Sequence, residues 1–402
     1  MFLSQQIALL NGQVVLPTAI VTGQALVING GRIVGLVDPQ QLDSVVQQVD
    51  VGGRFICPGL IDIHIHGAQG HTFNAPSRAA FTAITQANAR VGVTSLLATT
   101  ATDDIENLAA CLDFTQQWMA QTQQDSAFTG AQVLGAHVEG PYFNPAQAGA
   151  QDPAHLRHPD DGTPEVLLAY QSMIRILTFA PELPGALALT RRLVNAGIVA
   201  AAGHSAAREE DVRPCIDAGL SHMIHLWSSQ STTVREGPWR KPGLLEVSLT
   251  DERLTGEIIA DGKHLPPTLM KLAYKCLGPD RLCAISDATS GAGLPEGTRF
   301  RMGGMEYEVH DGVGMLLDRT AFAGSTTLLS QMVPILVNDV GLPLVEVIRM
   351  ASLTPARIIG VADRKGSLEA GKDADLVILD EALQPWSVLI KGRVVSGFAK
   401  SL

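Results

Sequence analysis

Two histidines, His64 and His66, stand two residues apart at the end of the apolar run PGLIDIHIHGAQG, residues 58–70. Residues i and i+2 of a strand share a face, so the reading predicts both imidazoles aimed into one space. Taken alone, the pair fits hydrogen-bonded core histidines or a metal site equally well. Comparable residues end other apolar runs: His137 and Glu139 in HVEGP, His204 in AAGHS, His225 in HMIHLW and Asp287 in ISDA. Imidazole and carboxylate donors without a thiolate suit a divalent transition ion, zinc first and iron second. Glu139 could bridge two ions, so one or two are expected. Asp287 would accept a proton from a water whose pKa the metal lowers towards about 7, and return it to a leaving nitrogen. That chemistry hydrolyses amides, esters or related bonds.

Each residue also has a plainer explanation. A lone strand-end histidine is more often a structural hydrogen-bonder, and His71, His155, His158, His222 and His310 are read that way. His137 shares the parity of Glu139 and is divided evenly between structure and support of a metal ligand. A lone buried Glu can be an ion-pair partner, and a lone Asp a helix cap. Taken together these explanations are less economical, because five strands would need independent reasons to end in such residues.

The elements that must position them alternate. Apolar runs at 60–66, 94–99, 133–139, 174–180, 198–204, 222–226, 256–261 and 282–287 are mostly separated by helical patterns. One is SRAAFTAITQANARVG, with Ser77 as N-cap; two others end at Gly197 and Gly219, a common helix stop. Eight strands alternating with helices predict an α/β chain folded as a (β/α)8 TIM-like barrel, whose active site forms at the C-terminal strand ends. A doubly wound sheet is the alternative, weakened because no GxGxxG follows the first strand. Both chain ends are β-rich: ALVINGGRIVGLV reads as a hairpin about Asn29-Gly30-Gly31, and DADLVILD with WSVLIKGRVVSG turns at Gly392. The expectation is a small β-sandwich domain from residues 1–57 and 359–402 around a catalytic barrel at 58–358. Residues 144–164, rich in Gly, Pro and Asp, read as a loop that could form part of a lid.

Composition narrows the class. The 402 residues are 46% hydrophobic with a net charge of −11 and no dense basic cluster, which argues against nucleic acid as a partner. No apolar run is long enough for a bilayer, and the N-terminal stretch lacks signal-peptide features. Cys57, Cys111, Cys215, Cys276 and Cys283 are scattered without a CxxC, as expected of reduced thiols in a cytoplasmic protein.

The ordered motifs PGLIDIHIHG, HVEGPYF, AAGHSAA, HMIHLW, IADGKH and ISDA, with the tail LTPARIIGVADRKGSLEAGKDADLVILD, resemble the amidohydrolase superfamily. Within it they are similar to the N-acetylglucosamine-6-phosphate deacetylase family over nearly the whole chain. HxH alone is a weak signal; HxEGP with GHS, IADGxH and the tail is a strong one. The resemblance implies a metal-dependent enzyme that releases acetate from an N-acetylated amino-sugar 6-phosphate, the glucosamine or galactosamine epimer, and a homodimer with substrate groups crossing the interface. It implies Glu139, His204 and His225 as ligands of a principal metal, His64 and His66 as completing a second position, Asp287 as catalytic acid/base and His264 as a substrate contact. Three substrate-facing positions depart from the family pattern. Gln151 stands where a histidine is usual. In HLWSSQ, Ser228 replaces a phosphate-holding asparagine, with Ser229 beside it. Arg235 and Arg240 compete for the phosphate-binding arginine. Alternatives are an amidohydrolase acting on a cyclic amide, N-acyl amino acid or dipeptide, and a non-catalytic sugar-phosphate sensor.

Overall fold

The computed structural model describes residues 6–125, 127–302 and 305–397. Its centre is an eight-stranded parallel sheet. The strands run in chain order as Leu60–Asp62, Val93–Thr100, Gln132–Glu139, Ile174–Phe179, Val199–Ala202, His222–Met223, Thr255–Ile259 and Leu282–Ile285. Each pairs with its neighbours in sequence, as expected of a (β/α)8 barrel. The first and eighth strands meet just beyond their ends. Ile65 bridges Ala288, the Asp287 N–H donates to the His64 carbonyl at 2.9 Å, and the His66 N–H donates to the Ala288 carbonyl at 2.8 Å. Buried Asp62 staples the same seam, accepting the His64 and Ser286 N–H groups at 3.3 Å each. The segments that close the barrel are therefore those carrying His64, His66 and Asp287.

Most of the strands stop short of the predicted runs. His64 and His66 lie past the first strand and not within it, and His204, His225 and Asp287 each stand beyond a strand end. The last three adopt left-handed φ values of 45°, 23° and 47°. That region is uncommon for residues other than glycine and does not continue a strand. Strained backbone of this kind concentrates where side chains must be aimed.

Amphipathic helices cover the barrel. The Ser77 hydroxyl accepts the Ala80 N–H at the start of Arg78–Arg90, and Ala186–Asn195 and Glu209–Asp217 end just before Gly197 and Gly219, both at positive φ. Among the described residues no helix is long and apolar enough to cross a membrane. Cys57, Cys111, Cys215 and Cys283 are buried, Cys276 is half-buried, and all five are free.

Both chain ends build the small β domain. One sheet pairs Ile7–Leu10 with Ala25–Asn29 and Gln47–Asp50; the other pairs Phe55–Pro58 with Leu376–Leu379 in antiparallel register. Leu9, Leu26 and Ile28 of the first pack on Ile56, Leu376 and Leu389 of the second. Two hairpin turns abut at its edge. A Cβ on Gly31, at φ +78°, would lie 2.9 Å from the Lys391 carbonyl oxygen, so this approach requires glycine.

A four-stranded antiparallel sheet, Arg299–Met302, Met305–His310, Val313–Leu316 and Phe322–Ser325, follows the eighth barrel strand. The sequence reading did not anticipate it. The Ser325 N–H donates to the Asp287 carbonyl at 2.9 Å, fastening this sheet beside the C-terminal strand ends.

Candidate active site

Glu139 ends the third strand, buried, and is the point on which the histidines converge. Its Oε1 lies 3.1 Å from His225 Nε2, 3.2 Å from His204 Nε2 and 3.5 Å from His64 Nε2. Its Oε2 lies 3.3 Å from His66 Nε2. Asp287 Oδ1 stands 3.3 Å from His66 Nε2 and 3.6 Å from His64 Nε2. Each of these residues comes from a different strand end except the His64–His66 pair, whose rings are 5.3 Å apart between centroids.

These spacings fit metal coordination. Donor atoms about 2.0–2.1 Å from a shared tetrahedral zinc sit about 3.3–3.4 Å from one another, whereas charge-assisted N–H···O bonds contract to about 2.7–2.9 Å. The contacts of 3.1–3.5 Å around Glu139 fall nearer the first value. His64 Nε2 is buried without a hydrogen-bond partner, as a nitrogen reserved for a ligand would be. Glu139, His204 and His225 form one group able to hold an ion, and His64, His66 and Glu139 a second. A third grouping, His64, His137 and Glu257, has its remaining donors engaged. His137 uses Nδ1 on the Ile63 carbonyl at 3.2 Å and Nε2 on Thr178 Oγ1 at 2.8 Å. Both Glu257 oxygens hold histidines.

Electrostatics separate the roles. Burial opposes charge on Asp287, but the His66 and His64 rings outweigh it and hold the carboxyl below its usual range, ionised and able to accept a proton. Glu139 is likewise kept ionised by the rings around it against its burial. Burial, with His64 nearby, pushes His137 down to about 3, so it stays neutral.

A cavity of about 220 Å³ opens above these groups. Gln151, Ser228, Ser229 and His264 line it together with His66, Glu139, His204, His225 and Asp287. Gln151 is also tied to the cluster: its Nε2 donates to Glu139 Oε2 at 2.6 Å, and its Oε1 accepts the Thr102 N–H at 2.7 Å. His264 contacts Asp261 Oδ2 through Nδ1 at 2.7 Å and meets the ring of Phe322 at 5.0 Å. The loop 144–164 is docked over the site by the His204 Nδ1–H, which donates to the Gln147 carbonyl at 2.9 Å. Within it, Gly149 passes so close to Ser229 that a Cβ would stand 2.6 Å from its hydroxyl oxygen.

Arg235 and Arg240 are not brought to this cavity within one chain. They face each other across the hairpin Val234–Glu236 and Trp239–Lys241, exposed, with local contacts to the Gly237 and Pro238 carbonyls. Gly237 and Pro238 form the turn between the two strands. Sequence reasoning also missed Glu257, a fully buried acid that holds His64 Nδ1 at 2.8 Å and His222 Nε2 at 3.0 Å. An acid inside the apolar strand TGEII, sharing parity with Asp261, was the available signal.

The amidohydrolase family model matches residues 55–397, spanning the barrel and the last strands of the small domain. The chain belongs to the amidohydrolase family. This amidohydrolase is 36% identical over 347 residues to N-acetylgalactosamine-6-phosphate deacetylase of Escherichia coli O157:H7, covering 85% of this chain and 88% of the relative. It is 31% identical over 372 residues to N-acetylglucosamine-6-phosphate deacetylase of Bacillus subtilis (strain 168), covering 91% of each. Among solved structures, N-acetylglucosamine-6-phosphate deacetylase from Pasteurella multocida superposes with a TM-score of 0.89 at 27% identity, over 97% of this chain and 99% of that one.

Proposed function

We propose that this amidohydrolase removes the N-acetyl group from an N-acetylated amino-sugar 6-phosphate, of glucosamine or galactosamine, giving acetate and the free amine. The carrying observation is the convergence of His64, His66, His204 and His225 on Glu139 beside an ionised Asp287 in one cavity. The named activities of the relatives supply the substrate class.

In this reading Glu139, His204 and His225 hold the principal ion, zinc first, and His64 and His66 with Glu139 hold a second. When bound, the metal polarises the acetyl carbonyl and lowers the pKa of water. Asp287 takes the proton of the attacking water on a carboxylate oxygen and delivers it to the departing sugar nitrogen. His264, Ser228, Ser229 and Gln151 face the sugar, and one amide hydrogen of Gln151 remains free for it. Arg235 or Arg240 meets the 6-phosphate from a second copy in a homodimer, which accounts for their exposure on a hairpin outside their own chain's cavity. The protein works in the cytoplasm, where such sugar phosphates are retained, and the chain divides as 1–57 with 359–402 and 58–358.

The test is acetate release from N-acetylglucosamine and N-acetylgalactosamine, each with and without 6-phosphate, on metal-reconstituted protein. Release from at least one phosphorylated epimer is expected, and no release from any of the four contradicts the proposal. Arg235→Ala and Arg240→Ala, made singly, identify the phosphate contact by loss of preference for the phosphorylated sugar; unchanged preference in both would mean that neither arginine holds the phosphate.

A further inference from the structure

We infer that Glu257 is the positioning residue that makes His64 a ligand and so sets the affinity of the second ion position. The inference rests on the metal reading above.

Glu257 lies in the seventh strand with no exposed surface. Among the described residues it pairs with no lysine or arginine. Its Oε2 accepts the His64 Nδ1–H at 2.8 Å and the His225 backbone N–H at 3.2 Å, and its Oε1 accepts the His222 Nε2–H at 3.0 Å. A carboxylate buried without a cationic side chain of full charge is expensive to keep, so its partners point to its use. Two of the three are residues of the candidate metal cluster.

Which nitrogen of a histidine faces a metal is decided by the hydrogen bond on the other. Glu257 engages His64 through Nδ1. That leaves Nε2, buried and without a hydrogen-bond partner, directed between Glu139 Oε1 at 3.5 Å and Asp287 Oδ1 at 3.6 Å. His66 has no such partner: its Nδ1 is buried and unpartnered. Of the HxH pair, then, only His64 is oriented from behind.

Glu257 is itself held. His222, which it grips through Oε1, is anchored at Nδ1 by Thr255 Oγ1 at 2.7 Å. The chain Thr255–His222–Glu257–His64 runs from the start of the seventh strand to the site, with each member fixed by the one before it. This gives His222, read from sequence as structural, a definite task. The bond to the His225 backbone also steadies a residue at the left-handed φ of 23°, so one carboxylate touches both ligand groups.

Glu257→Gln keeps the shape of the side chain but removes the negative charge by which Glu257 fixes the His64 tautomer and raises its basicity as a ligand. The glutamine oxygen can still accept from His64 and the His225 N–H, and its amide can donate to His222 Nε2 once that ring carries its proton on Nδ1. Glu257→Leu removes the acceptor altogether. Metal-free wild type and variants are titrated with zinc, bound metal is counted after gel filtration, and folding is checked by circular dichroism melting. Wild type is expected to hold two ions per chain. In Glu257→Gln the second ion should weaken about 10–100-fold while the first stays within about threefold. Glu257→Leu, where it folds, should hold one. A merely structural Glu257 would lower the melting temperature and leave the spacing between the two affinities unchanged. Unchanged second-ion affinity in Glu257→Gln, or a single ion at saturation in wild type, overturns the inference. Metal counts need no substrate, so failure of acetate release with two ions bound would overturn the deacetylase reading and leave this one standing.

Discussion

Gln151 spans two fixed groups: it donates to Glu139 Oε2 at 2.6 Å and receives the Thr102 N–H at 2.7 Å. The Gln151 side chain therefore holds the Glu139 carboxylate as well as facing the cavity. Gln151→Ala strands a buried N–H, at a cost of about 1–3 kcal/mol, and frees Glu139 to rotate. The expected outcome is a lower melting temperature and a loss carried mainly by kcat. Steady-state kinetics beside thermal unfolding check it; a change confined to KM would return Gln151 to a purely substrate-facing role.

Asp287→Asn keeps the shape of the side chain and removes its capacity to accept a proton. Turnover should fall by about 10²–10⁴-fold, with zinc content close to wild type. Near-normal turnover would place the proton transfer on another group.

Metal loading should release protons. Burial alone would push the His66 ring down, but the carboxylates of Asp287 and Glu139 outweigh it and hold its pKa at about 9 in the metal-free protein. A ring protonated at pH 7 must lose that proton to bind, so apparent metal affinity should rise from pH 6.5 towards 9. Stability follows the opposite sign in the metal-free form. A raised folded-state pKa stabilises fully below the unfolded value of 6.5, and the gain is lost as pH rises through about 9. Calorimetric titration in two buffers of different ionisation enthalpy measures the first effect, and melting of chelated protein across this range the second.

Phe322 belongs to the added sheet, remains 39% exposed and meets the His264 ring at 5.0 Å. Removing an aromatic contact of this kind costs about 0.5–1.5 kcal/mol. Phe322→Ala should therefore raise KM about two- to twelvefold with kcat nearly unchanged, as measured by initial rates; an unchanged KM would leave the sheet outside substrate binding.

The barrel was legible because its apolar runs and glycine helix stops recur in order, and the His/Glu cluster because its members stand at or just past strand ends. The geometry of those ends was not. A left-handed φ at His204, His225 and Asp287 follows from tertiary closure, so a period-2 reading carried the strands too far. Glu257 escaped because a single acid in an apolar strand looks like an isolated ion-pair partner until His64 and His222 are seen on either side of it. The four-stranded sheet after Asp287 did carry a readable signal, the two-residue Asp311-Gly312 turn between Met305–His310 and Val313–Leu316, which a reading directed at the barrel strands passed over. Arg235 and Arg240 were matched by motif and distance, which do not reveal that their segment folds as an exposed hairpin.

If Glu139 and the four histidines around it form a metal-dependent hydrolytic site, acetate release must depend on the bound ion. The direct measurement is acetate release from N-acetylglucosamine 6-phosphate and N-acetylgalactosamine 6-phosphate by the same protein preparation before chelation, after metal removal and after zinc is restored. Release should disappear with the metal and return with it. Release that persists in fully metal-free protein, or that is absent in fully loaded protein for both sugars, would contradict it.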